Sequence, residues 1–179
     1  MKNFKQKYLM VALMIVLSLA LVGFTGCSKA PTGIEEDDIG EVKLLKRNVA
    51  LAKLFEDSYY IEQKVSAAEG GSVNLYDVEL YFPPGALNND TLISIEIPDP
   101  SLYADHFGTD GLVFNVPVRI TMSYRYAIID NVDESTIKMA WFNEQTGQWD
   151  IIRCFCDPVT QTVTAHVSHF SAYALITDE

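Results

Sequence analysis

From residue 59 onward, short apolar stretches alternate with clusters of turn-forming residues. Gly70-Gly71 breaks the chain after Lys64-Val65-Ser66, and Ser72 to Leu75 alternates polar with apolar. Val78, Leu80 and Phe82 share one face while Glu79 and Tyr81 take the other, the period of two of a half-buried strand. Pro83-Pro84-Gly85 closes that strand, because proline has no N–H to donate to a ladder. Thr91 to Ile97 is rich in β-branched residues and lies between Asn88-Asn89-Asp90 and Pro98. Leu112 to Tyr126 is a longer apolar and aromatic run in which Pro117 predicts an edge position or a bulge. Ile137 to Phe142 and Gln148 to Cys156 flank Asn143-Glu144-Gln145-Thr146-Gly147, a five-residue hairpin loop. Asp157-Pro158 starts another turn, and Thr162 to Val167 and Phe170 to Ile176 are the last two strands. Val163, Ala165 and Val167 are expected inside, with Thr162, Thr164 and His166 outside. Eight or nine short strands with no helical pattern between them predict an all-β fold, an antiparallel β-sandwich over residues 58–179.

The first 57 residues follow other patterns. Over 41–57, Val42, Leu45, Val49, Ala52 and Phe55 recur at intervals of three and four, which predicts a short helix packed on the domain edge. Val49, Leu51 and Lys53 would also tolerate an extended chain. Residues 27–40 carry Pro31, Gly33, Gly40 and the run Glu35-Glu36-Asp37-Asp38, and read as an acidic, flexible tether. Over 1–26, the basic Lys2, Lys5 and Lys7 precede an uncharged apolar run from Leu9 to Phe24 and then Thr25-Gly26-Cys27. A basic start, an apolar middle and small residues before a cut site make an export signal. The Gly-Cys step resembles the lipobox of bacterial lipoproteins, which implies lipidation of Cys27 as the first mature residue; Phe24 stands where that motif usually has Leu. The alternative is a membrane helix, since the 21 uncharged residues from Tyr8 to Ser28 are long enough to span a bilayer.

Charge sharpens this division. The 179 residues carry 13 Lys and Arg against 24 Asp and Glu, a net charge of −11. Loss of 1–26 would remove three lysines and no acid, leaving −14. Such a chain lacks the basic face that nucleic acid requires, and it repels anionic headgroups. Membrane contact is therefore expected through the lipid on Cys27. The mean hydropathy of +0.09 owes much to the apolar run of the signal.

Ala68-Glu69-Gly70-Gly71-Ser72-Val73, then Phe82-Pro83-Pro84-Gly85-Ala86-Leu87 with Asp90-Thr91, resembles the start of a ZU-five domain, the module of zonula-occludens proteins and Unc-five-type receptors. Val116-Pro117-Val118, Trp149 after a Thr-Gly turn, and His169-Phe170-Ser171-Ala172-Tyr173-Ala174 continue the resemblance over residues 60–177. It implies a β-sandwich used for protein contacts, of a kind also carried by bacterial surface lipoproteins. Some members of that family cut themselves at the Phe–Ser bond of an HFS motif. Carried over here, Ser171 would attack the carbonyl of Phe170 and His169 would take its proton, an N-to-O acyl shift that needs a strained peptide and an oriented base. The alternative is that HFS is a strand-end packing motif.

Other chemistry-bearing residues show weaker patterns. Cys154-Phe155-Cys156 lacks zinc or redox spacing, so two small buried thiols are expected, with a strained local disulfide as the alternative. His106 and His166 lack ligand spacing, and no metal or cofactor is expected. Asp99, Asp105 and Asp110 are read as lying in a loop, where ligands can bind. Tyr59, Tyr60, Tyr103 and Tyr126 are candidate stacking surfaces for a polysaccharide, or half-buried strand residues. The expectation is a non-enzymatic, lipid-anchored module in the bacterial cell envelope, outside the cytoplasm, that binds a protein or a polysaccharide. The alternative is a self-cleaving protein acting at Phe170-Ser171.

Overall fold

The computed structural model describes residues 42–52 and 59–177. The export signal, Cys27 and the tether lie outside the described residues, so the structure bears on none of them.

The described residues form twelve strands in two antiparallel sheets. The seven-stranded sheet runs β2 (Tyr60–Val65), β5 (Thr91–Glu96), β6 (Ala104–Gly108), β12 (Ala172–Thr177), β8 (Lys138–Asn143) and β9 (Gln148–Ile151), with β1 (Lys43–Leu44) also paired to β12. The five-stranded sheet runs β10 (Cys154–Asp157), β11 (Thr162–His169), β7 (Val113–Ser123), β4 (Val78–Phe82) and β3 (Gly71–Leu75). Inward residues of both sheets join one core, as a sandwich requires. Val163, Ala165 and Val167 are buried and His166 is exposed, as the alternation predicts.

The two specific motifs of the sequence meet in this core. Phe170 is buried and lies edge-to-face against Phe82, Phe107 and Phe114, at centroid distances of 5.9, 6.0 and 4.8 Å. Burying such a ring contributes roughly 1.5–3 kcal/mol. Ala86 and Leu87, which follow the Pro-Pro-Gly turn, are buried as well. Gly70 sits at φ +73°, and a Cβ there would collide with the Phe82 carbonyl, so glycine is required for the tight turn between β2 and β3, where the chain passes from one sheet to the other, to close against the Pro-Pro-Gly turn.

Four expectations need correction. Residues 41–57 do not form one helix: the chain is extended through β1, Leu45 and Arg47 point inward around an exposed Lys46, and helix α1 is a single turn, Val49–Ala52. A period of two overrode the three-and-four spacing because β12 offers a ladder to pair with (Lys43↔Thr177, Leu44↔Ile176). Pro117 lies on β7, a central strand, and not at an edge; the bulge reading holds, since the β11–β7 register shifts between Val167 and His169, opposite this stretch. Gln148 to Cys156 is two strands, β9 in one sheet and β10 in the other, joined across Ile152-Arg153. The stretch around Asp105 is strand β6 and not a loop.

Strand β12 has both faces covered, which explains its unbroken Ala-Tyr-Ala-Leu-Ile run. Tyr173 and Leu175 enter the main core. Ala174 and Ile176 pack on the other side with Ala140, under Val42, Leu44 and Trp149.

Candidate functional site

The β3–β4 hairpin is closed by two residues, Tyr76 and Asp77, between the paired Leu75 and Val78. Tyr76 occupies φ +50°, a left-handed conformation uncommon for a bulky residue, and its ring stays exposed. It lies edge-on to Tyr59 at 5.9 Å. Beside it a groove of about 270 Å³ opens on the outer side of the five-stranded sheet. Asn74, Glu79, Thr121 and Ser123 supply polar groups to it, and Tyr76, Tyr126 and Arg125 flank it.

The groove rests on a buried ionic cluster. Arg47 Nε and Nη2 donate to the two oxygens of Asp77 at 3.0 and 3.3 Å. Its Nη1 donates to the Leu102 carbonyl at 2.7 Å and to the Pro100 carbonyl at 3.3 Å. The guanidinium also lies 4.2 Å from the ring centroid of Tyr103. This engages all three nitrogens of a planar fork of donors, the arrangement that makes a buried arginine tolerable. Asp105 stands apart from it: it is wholly buried, its nearest cation is Arg47 Nη2 at 3.7 Å, and neither oxygen accepts a hydrogen bond among the described residues. Burial pushes its carboxyl up to about 8, against the pull of Arg47, and the charge on Asp77 adds to the rise. Burial thus favours the protonated form of Asp105, and it raises the Asp77 carboxyl as well, against the pull of Arg47.

The HFS residues pack into the sandwich. Ser171 Oγ donates to the Phe142 carbonyl at 2.9 Å. The His169 imidazole lies edge-to-face on Trp141 at 4.8 Å, and the His169 carbonyl accepts from Tyr173 Oη at 2.8 Å. The Ser171 hydroxyl and the His169 carbonyl each have a hydrogen-bond partner, while Phe170 fills the core between them.

Cys154 and Cys156 are free thiols that pack against the core from one side of β10, with Phe155 exposed on the other. Cys154 Sγ accepts from the Met139 N–H at 3.2 Å, and Cys156 Sγ donates to the Glu134 carbonyl at 3.3 Å. Burial pushes the Cys156 thiol up, which disfavours the reactive thiolate. His106 and His166 are exposed on different sheets, and no group of metal-ligating side chains occurs among the described residues. Asp99 and Asp110 are exposed while Asp105 is buried, so the three do not converge. Of the tyrosines, Tyr103 is wholly buried and cannot serve as a stacking surface; Tyr126 lines the groove, and Tyr59 and Tyr60 are exposed.

Tyr76, Asp77 and Arg47 went unread in the sequence. The first two had a signal, a two-residue gap between alternating runs that marks a hairpin. Arg47 had none, because its partners lie 30 and more residues away. No helix among the described residues is long and apolar enough to cross a membrane. The chain matches no protein-family model and no curated protein.

Proposed function

We propose that this chain is a non-enzymatic interaction module, anchored outside the cytoplasm of a bacterium by lipid on Cys27, that presents the groove between Tyr76 and Tyr126 to a macromolecular partner. The observation that carries the reading is the groove itself, a polar concavity with aromatic walls on the outer face of a rigid sheet. Binding residues set on a packed scaffold lose little freedom when they engage a ligand. The Gly26-Cys27 step supports the anchor, and the acidic residues 27–40 support a tether that holds the domain clear of anionic lipid. The β-sandwich is the architecture that the ZU-five resemblance implies, and this agreement supports membership without bearing on a partner.

Fractionation and photo-crosslinking in cells test the reading together. Cys27→Ser is expected to move the protein out of the membrane fraction. A photo-reactive side chain at Asn74, in the groove, is expected to give an adduct that the same group at the exposed Asp130 does not. Retention of the serine variant in the membrane would overturn the lipid anchor. Equal or absent labelling at the two positions would overturn the groove as the contact surface.

A further inference from the structure

The groove does not end at its own rim. Strand register lays Asn74, Glu79, Thr121, Thr164 and Phe155 side by side across all five strands of the sheet, on the face turned away from the core. The neighbouring row is Ser72, Tyr81, Arg119 and His166. Phe155, at 69% exposure, leaves its ring in solvent on this face, while Arg119 lies 4.9 Å over the ring of Tyr81. The two rows thus combine hydroxyls and an amide with two rings and the Glu79–Arg119 pair.

Three observations narrow what such a surface takes. First, most of its charges are paired: Asp77 is clamped by Arg47 and Glu79 lies 3.7 Å from Arg119, which leaves the exposed Arg125, bonded to the Ser123 hydroxyl, as a cation at the rim. One rim cation can hydrogen-bond a neutral ligand, and the overall −11 repels a polyanion. Second, the floor strands β4 and β7 are paired on both sides, so an extended peptide has no free main-chain groups to join there. Third, beside the paired charges the side chains offered are hydroxyl, amide, imidazole and tyrosyl groups. These suit a ligand with hydroxyls around its rim and C–H bonds on its flat face, which a sugar ring provides.

Building on the interaction-module reading, we propose that the groove and the outer face of the five-stranded sheet bind an uncharged polysaccharide, with Tyr76 and Tyr126 holding one sugar unit and the threonine-lined row continuing along the chain. Calorimetric titration of the full chain in detergent with chitohexaose, cellohexaose, maltohexaose and mannohexaose tests this. At least one of these hexasaccharides is expected to bind with an affinity that changes little with salt. Tyr126→Ala and Tyr76→Asn (asparagine tolerates the left-handed backbone) are each expected to weaken it about tenfold with an unchanged melting temperature. Absence of binding to all four sugars, or binding unchanged in both variants, would overturn the proposal. A protein adduct from the Asn74 photo-crosslinker together with no sugar binding would remove the saccharide and leave the interaction module standing. Neither adduct nor sugar binding would remove both.

Discussion

Arg47 carries more of this molecule than any other charged side chain among the described residues. It joins a segment near the amino end to the β3–β4 turn through Asp77, and to the loop before β6 through the carbonyls of Pro100 and Leu102. Arg47→Ala would leave Asp77 buried without its cation and remove the ring contact with Tyr103. A loss of about 3–5 kcal/mol is expected, measured by chemical denaturation. Asp105 makes a separate, pH-dependent contribution. Its folded-state value of about 8 lies above that of an exposed aspartate, so the folded chain holds a proton that the unfolded chain releases. The stability from this proton is complete below about pH 4 and is lost as pH rises toward about 8, with a limiting slope of about 1.4 kcal/mol per pH unit. Asp90, Asp133 and Asp157 are shifted down by hydrogen bonds and act with the opposite sign, but only in the acid range. Unfolding curves between about pH 5 and 8 are therefore expected to show falling stability, and Asp105→Asn is expected to flatten the slope.

At the scale of elements, alternation predicts facing where one side of a strand is apolar and the other polar. Ala165→Glu on β11 would place an unpaired charge in the core at a cost of several kcal/mol, on the order of the whole stability of a small domain. It is expected to abolish the cooperative melting transition, whereas His166→Glu, one residue on and exposed beside Arg119, is expected to leave it in place. Strands β3, β4 and β11 were legible in this way. Strand β6 was not, because Asp105 occupies an inward position that local pattern assigns to an apolar residue, and only Arg47, 58 positions earlier, makes that placement tolerable. The split of residues 148–156 between two sheets was hidden for a different reason. Both halves are extended, and the change of partner is decided by Met139, whose carbonyl accepts from Ile152 and whose N–H is held by Cys154. The groove was half legible: Tyr126 stood out as an aromatic candidate, while Tyr76 and its polar neighbours acquire meaning only from cross-strand register.

For the whole molecule, the two motifs that are most specific in the sequence have become one packing unit. The Pro-Pro-Gly turn and the HFS segment meet through Phe82 and Phe170, although they are far apart in the chain. With Ser171 Oγ donating to Phe142 and the His169 ring against Trp141, the purified protein is expected to run as one uncut species by intact mass and on a denaturing gel. Two fragments joined at the Phe170-Ser171 boundary would instead assign HFS to self-cleavage.

The position of Arg47 has a mechanical side. Tension arriving from the amino-terminal direction enters the described domain at β1, whose ladder to β12 is only two residues long. The next links are the Leu45 N–H to the Leu175 carbonyl, at 2.8 Å, and then the guanidinium with its two partner segments. Once the short ladder slips, load passes to the main-chain bonds that join residues 45–48 to Ser101, Tyr103, Tyr126 and Ile128, and to the Arg47 side chain together. Arg47 is in this sense one rivet of a row, set where the described domain begins.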